Sequence, residues 1–323
     1  LNTFVHFSFL NTAASPAGIA VIHSLFNIGA TILLFPFANL LEKMAILAIP
    51  DKGSEVEEME EEKINPDLAR LDERFLDKPG FAMEECRGVA INMARKSKKA
   101  MNLAIDLLKE YDEKTSARVE KLENQIDQYE DALGTYLVKL SERDLSVKDS
   151  RILSVLLHCI GDFERISDHA VNIRDAAVEM NKKNLQFSDK AKQELLVFSN
   201  AIRDIIDRAV LAFETGDTGL AKEVEPLEQV VDALNKEEKQ RHINRLRTGT
   251  CTIELGFVLS DISTNFERAA DHCSNIAVCL LQVDEGGFDT HEYLDILKEE
   301  NSEEFRHEYM ELSEKYTLPE SKH

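Results

Sequence analysis

Eight carboxylates, set in four short phrases, carry the chemistry of this chain. Glu123 and Asp127 lie in VEKLENQID (119–127), and Glu164 and Asp168 in FERISDHAVNI (163–173). Glu228 and Asp232 lie in VEPLEQVVD (224–232), and Glu267 and Asp271 in FERAADHCSNI (266–276). In a helix, residues four apart share one face, one turn above the other. Two such pairs on neighbouring helices make a cluster of four acids: Glu123/Asp127 with Glu164/Asp168, and Glu228/Asp232 with Glu267/Asp271. Gathering like charges costs energy unless a cation offsets it. Oxygen-rich sites of this kind suit hard cations or iron. The competing reading is a network of surface ion pairs, with Arg165 and Arg268 neutralising the adjacent glutamates. One pair alone favours that reading; four in register favour metal. His169/Asn172 and His272/Asn275 follow the third-helix pairs and read as packing and interhelical hydrogen-bonding residues rather than ligands.

The elements that position these acids follow from the repetition itself. Each V-E-x-L-E phrase precedes an F-E-R phrase by about forty residues, in the same order both times, so the region is a tandem duplication. Apolar residues recur at helical spacing over residues 81–111, 115–141 and 147–180. Ser188 caps a further helix to residue 214, Gly216 breaks it, and helices follow over 218–247 and 252–283. Sustained period-two alternation is absent, so the expected fold is all-α: two three-helix units with short connections. Each cluster glutamate follows a core position by one residue (Leu122, Phe163, Leu227, Phe266). One residue is about 100° of rotation, which sets the acids at the rim of the helix contacts.

Composition narrows the function. The net charge of −22 argues against a nucleic-acid partner, because phosphate backbones need basic surface. The five cysteines are scattered with no Cys-x-x-Cys, which speaks against a disulfide framework or structural zinc site and suits a cytoplasmic location. A carboxylate-bridged di-iron bundle needs two Glu-x-x-His motifs; only Glu304-x-x-His307 occurs, outside the repeats. Phosphate loops, dinucleotide fingerprints and Gly-x-Ser-x-Gly are absent, and the chain reads as no enzyme. Residues 1–41 contain no Asp, Glu, Lys or Arg. Residues 17–41 are long and apolar enough for a spanning helix, which takes about 20 residues. His23 and Asn27, one turn apart there, are weak candidates for a transport role against simple helix–helix hydrogen bonding. The expected organisation is a membrane segment (1–49), an acidic linker (50–80), unit one (81–183), unit two (184–284) and an acidic helix or tail (285–323).

The repeated F-E-R-x-x-D-H-x-x-N-I, with V-E-x-L-E-x-x-x-D upstream, resembles the PhoU family of phosphate-uptake regulators over about residues 81–283. That resemblance implies paired three-helix bundles whose acidic motifs hold multinuclear clusters of iron, zinc or another divalent metal. Carried over, the metal residues are Glu123, Asp127, Glu164, Asp168, Glu228, Asp232, Glu267 and Asp271. The stretch AGIAVIHSLFNIGATILLFPF (17–37) is similar to the last membrane portion of bacterial sodium/phosphate cotransporters. The implied protein is the C-terminal portion of a sodium-dependent phosphate transporter. Its PhoU-like domain would bind metal and regulate uptake, in the plasma membrane with residues from about 42 onward cytoplasmic. Its partners would be the rest of the membrane domain, phosphate, sodium and a second copy of itself. The alternatives are a soluble PhoU-like regulator docking on a separate transporter or kinase, and a helical scaffold without ligand. Ser260 and Ser263 stand where the first unit has Leu157 and Ile160, which predicts different packing or metal loading in the second.

Overall fold

The computed structural model describes residues 24, 26–29, 31, 65–285 and 302–319. The chain divides into two compact units, residues 1–63 and 64–323. The described residues of the first are helical and exposed, and the Thr31 hydroxyl donates to the carbonyl of Asn27, 2.8 Å away. His23 lies outside the described residues.

Placement in the plasma membrane, with a terminal spanning segment, is corrected. Among the described residues no helix is long and apolar enough to cross a bilayer. The physical reason is that each long helix pairs an apolar stripe with a charged face. Even the most apolar of them, residues 253–285, carries Glu254, Asp261, Glu267, Arg268 and Asp271. Most of the apolar run at 17–41 lies outside the described residues.

The second unit is helical, and its boundaries have local causes. Helix α1 (Pro79–Leu107) starts on a proline, which needs no N–H at that position. Helix α2 (Glu113–Ser141) is capped by the Asp112 carboxylate, which accepts from the Thr115 backbone N–H at 2.8 Å. Helix α3 (Val147–Lys183) is capped by Ser146 and ends at Asn184, in the left-handed region at φ 53°. Helix α4 (Asp189–Thr215) is capped by Ser188 and closed by Gly216 at φ 69°, a conformation glycine adopts without strain. The helix expected over 218–247 is two: α5 (Thr218–Lys222) and α6 (Val224–Arg247). Pro226 has no N–H to give the Lys222 carbonyl, so the helical ladder stops there. Helices α7 (Ile253–Glu285) and α8 (Ser302–Lys315) follow.

Helices α1, α2 and α3 form repeat 1; α4, α6 and α7 form repeat 2, with α5 leading into α6. One continuous core joins them. Phe163 of repeat 1 meets Phe213 of repeat 2 edge-on at 4.9 Å between ring centres, and Phe198 meets Phe266 at 5.2 Å. Fully burying such a side chain contributes about 1.5–3 kcal/mol. The main contact between repeats is α3 against α7. Asn172 pairs with Asn265 and Lys183 with Glu254, so the two helices run antiparallel.

Each repeat is also tied down by a flanking segment. Two 3-10 turns (Leu68–Arg70 and Glu73–Phe75) lie on repeat 1. There the Tyr129 hydroxyl donates to the Asp67 carboxylate, and the Tyr136 hydroxyl to the Asp72 carbonyl at 2.9 Å. On repeat 2, α8 and the residues after it bury Leu312, Tyr316 and Leu318. The Tyr316 hydroxyl donates to Asp204 at 2.8 Å, and Arg208 reaches Glu308 at 3.0 Å.

Candidate metal centre

In repeat 1 the helical register brings three acids together. Glu123 and Asp127 of α2 and Asp168 of α3 each offer an oxygen within 4.8 Å of the others. Glu164 stands one turn before Asp168, with Arg165 between them: its guanidinium lies 3.4 Å from Glu164 Oε2 and 3.1 Å from Asp168 Oδ2. The mutual repulsion is visible in proton affinity. Burial, then the charge of Asp168, pushes Glu164 up to about 7, with Arg165 opposing and Asp127 and Glu130 adding. Burial also raises Glu123, followed by Asp127 and Asp168, and raises Asp127, followed by Asp168. The arginine beside the pair therefore offsets only part of the negative charge.

The four acids of repeat 2 are arranged differently. Asp271 is raised by burial, then by Glu267 and Asp232, while His272 and Arg268 oppose. Glu228, nearly buried, accepts from the Gln229 amide at 2.9 Å. Asp232 accepts from Lys236 at 3.3 Å, one turn along the same helix. Among the described residues, the set of three acids within 4.8 Å occurs in repeat 1.

The histidines and asparagines after each acidic pair lie on the α3–α7 seam. His169 and His272 stack with ring centres 5.6 Å apart. His169 Nδ1 donates to Asn265 Oδ1 at 2.8 Å, and the Asn172 amide reaches the same oxygen at 3.0 Å. In the mirrored arrangement, His272 Nδ1 and the Asn275 amide meet Asp162 Oδ1 at 2.8 and 3.3 Å. The histidine rungs of the seam thus form a pseudo-twofold ladder, with Asp162 in one half standing for Asn265 in the other. Burial lowers His169, and the Asn265 hydrogen bond partly restores it. Sequence reasoning missed Asp162 and Asn265, although both sit immediately before the phenylalanine of their F-E-R phrase.

A second group was also missed. Glu194 of α4 is fully buried between Arg241 (2.9 Å) and Arg245 of α6. Glu238 accepts from the Ser263 hydroxyl at 2.7 Å and is raised to about 7, mainly by burial. Of this group, only the replacement of Ile160 by Ser263 gave a signal in the sequence.

Known proteins share this fold. The pattern of the family described as "PhoU domain" matches residues 90–177 and again residues 195–280. The phosphate-specific transport system accessory protein PhoU homolog 1 of Thermotoga maritima is 23% identical over 188 residues, covering 58% of this chain and 80% of that protein. The PhoU homolog of Pseudomonas aeruginosa, carrying the same accessory-protein name, is 23% identical over 219 residues, 68% of this chain and 90% of that one. The crystal structure of PhoU from Pseudomonas aeruginosa superposes with a TM-score of 0.60 at 22% identity, over 63% of this chain and 97% of that one. That of the phosphate transport system regulatory protein PhoU from Streptococcus pneumoniae gives 0.58 at 17%, over 65% and 99%. Helix α8, whose contacts to Asp204 and Arg208 add a helix to repeat 2, lies beyond the 195–280 match.

Proposed function

We propose, because this chain belongs to the PhoU domain family, that it is an accessory regulator of phosphate transport that docks on a separate transport protein or its kinase. The observation that carries this reading is the tandem family match. It is supported by relatives named as accessory proteins of phosphate-specific transport systems. The reading as the C-terminal portion of a sodium-dependent transporter gives way to this one, and sodium, which entered only with it, is set aside. The chain works by binding, not by catalysis. A second copy of the chain is a further proposed partner.

The acidic clusters serve this role as metal sites. In repeat 1, Glu123, Asp127, Glu164 and Asp168 would hold the ion; the three oxygens within 4.8 Å and the raised Glu164 are the chemistry a cation satisfies. In repeat 2 the set is Glu228, Asp232, Glu267 and Asp271, with Lys236 competing for Asp232. Iron, zinc or another divalent ion would supply positive charge that ties α2 to α3 and α6 to α7. Metal binding displaces protons from raised carboxyls, so affinity rises with pH.

Two measurements test the reading. Removing the chain from its host should leave phosphate uptake running but uncoupled from internal phosphate; an unchanged dependence refutes the regulatory role. Elemental analysis of the purified protein, after reconstitution with iron or zinc, should find bound metal; none at all would sink the metal sites while leaving the docking role standing.

A further inference from the structure

The α3–α7 ladder has one more rung. One turn beyond the Asp162–Asn275 bond, the antiparallel register that pairs Asn172 with Asn265 and Lys183 with Glu254 sets Cys159 of α3 opposite Cys279 of α7. Cys159 is buried and Cys279 is half-buried; both are free thiols. The pseudo-twofold places a matching rung at the other end of the seam. There the chain has Ile262, where the phrase offset puts the counterpart of Cys159, and Ala176, the counterpart of Cys279. Both are buried. The thiol pair is therefore confined to one end of a seam whose two ends otherwise repeat.

We propose that Cys159 and Cys279 are an oxidisable pair, which a hydroperoxide converts into a disulfide stapling repeat 1 to repeat 2. Accessibility sets the order of events. Cys279, the more exposed, reacts first: its sulfur attacks the peroxide oxygen, the O–O bond breaks, and the released oxygen leaves as alcohol or water. Cys279 is then a sulfenic acid. Cys159 attacks that sulfur, its thiol proton goes to the departing hydroxyl, and water leaves as the S–S bond forms. The two electrons lost by the thiol pair are those that reduce the peroxide. Proton affinities agree with this division: the two neighbouring thiols shift each other, Cys279 down and Cys159, which burial raises further, well up. A low-affinity, accessible thiol is the reactive one of such a pair. The product covalently joins two helices that otherwise meet through core packing, the histidine stack, four amide or imidazole hydrogen bonds and the Lys183–Glu254 pair.

The test uses the full reduced chain and hydrogen peroxide. Titratable thiols should fall from five to three, and non-reducing peptide mapping should find one cross-linked species joining Cys159 to Cys279. Dithiothreitol should restore all five. The Cys159→Ser variant should stop at a sulfenic acid on Cys279, trapped by dimedone, whereas Cys279→Ser should lose neither thiol nor proton at Cys159. Cys251, off the seam, is the internal control for general oxidation. A map in which Cys251 is modified while Cys159 and Cys279 remain thiols would overturn the proposal. So would a cross-link that persists in Cys279→Ser. Because the wild-type map decides the matter, a variant that fails to fold does not protect the idea.

Discussion

The two repeats share a frame yet are filled with opposite chemistry at one end. Where repeat 1 buries Val89, Leu133, Tyr136, Leu137, Leu140 and Ile160, the corresponding positions of repeat 2 hold Glu194, Glu238, Arg241, His242, Arg245 and Ser263. The same three-helix geometry is thus closed by apolar packing in one copy and by a buried ion network in the other. Gly256 completes the exchange: it stands where repeat 1 has Leu153, and a Cβ there would run into the His242 ring. The lesson is that the family frame tolerates either solution, but they fail differently. Apolar packing loses stability in proportion to the volume removed. An ion network is worth little as a set and costs much when one member is taken away.

The largest effect should come from breaking that network at its centre. Glu194→Val places the residue of repeat 1 in repeat 2 but leaves Arg241 and Arg245 without their shared carboxylate. Urea unfolding should show a loss of about 3–5 kcal/mol. Transplanting all six residues of repeat 1 together should recover most of that loss. If the single change is neutral, the network is not the brace it looks like.

The acidic clusters sharpen the comparison next. Glu164→Gln with Asp168→Asn should strip metal from repeat 1 and leave that of repeat 2. Glu267→Gln with Asp271→Asn should remove the smaller share, since the acids of repeat 2 are less convergent. Equal losses, read by elemental analysis, would mean that the two sites are equivalent after all.

A pH effect of moderate size follows from one glutamate in each repeat. Glu164 and Glu238 are both raised to about 7 in the folded protein, against about 4.3 for an unfolded chain. A raised acid lends stability that is complete below its unfolded value and is lost as pH climbs through its folded value. Metal-free protein should therefore weaken between about pH 4.5 and about pH 7. Glu164→Gln and Glu238→Gln should each flatten part of that slope, and added metal should cancel the share of Glu164 alone. A melting temperature that rises over this interval would contradict both assignments.

The smallest change concerns the seam. Asp162→Asn gives the two histidine rungs the same partner and removes a charge-assisted bond to His272. The expected cost is about 1 kcal/mol, measured by chemical unfolding, with the histidine stack retained in the imidazole NMR signals.

Much of this was legible in the sequence for a specific reason: helices and caps are written locally. The apolar period of Leu122, Ile126, Tyr129 and Leu133 announces α2, and Ser188 announces the start of α4. The acidic pairs were legible because i and i+4 share a face whatever the rest of the fold does. The α5–α6 break was missed because a proline is tolerable near a helix start, so Pro226 does not by itself show that the helix begins at residue 224 and not at 218. The ion network was illegible because Glu194 and Arg245 meet only through packing. Among many acids, sequence alone does not tell a buried glutamate from an exposed one. Hydropathy at 17–41 led to a membrane placement that the described helices, with their charged faces, do not share.

The flanking segments have a consequence for the order in which the protein is made. A chain leaves the ribosome from its N-terminus, and domains fold as they emerge. The turns that hold Tyr129 and Tyr136 are synthesised before the repeat they close, so repeat 1 is complete once α3 is out. Repeat 2 must wait: Asp204 and Arg208 are made long before Tyr316 and Glu308, and Arg241 before the carbonyl of Pro319 that it binds. During that interval the nascent chain carries one finished repeat beside another whose outer face is still open. A ribosome stalled just short of residue 302 would therefore hold a protease-resistant first repeat and a cleavable second.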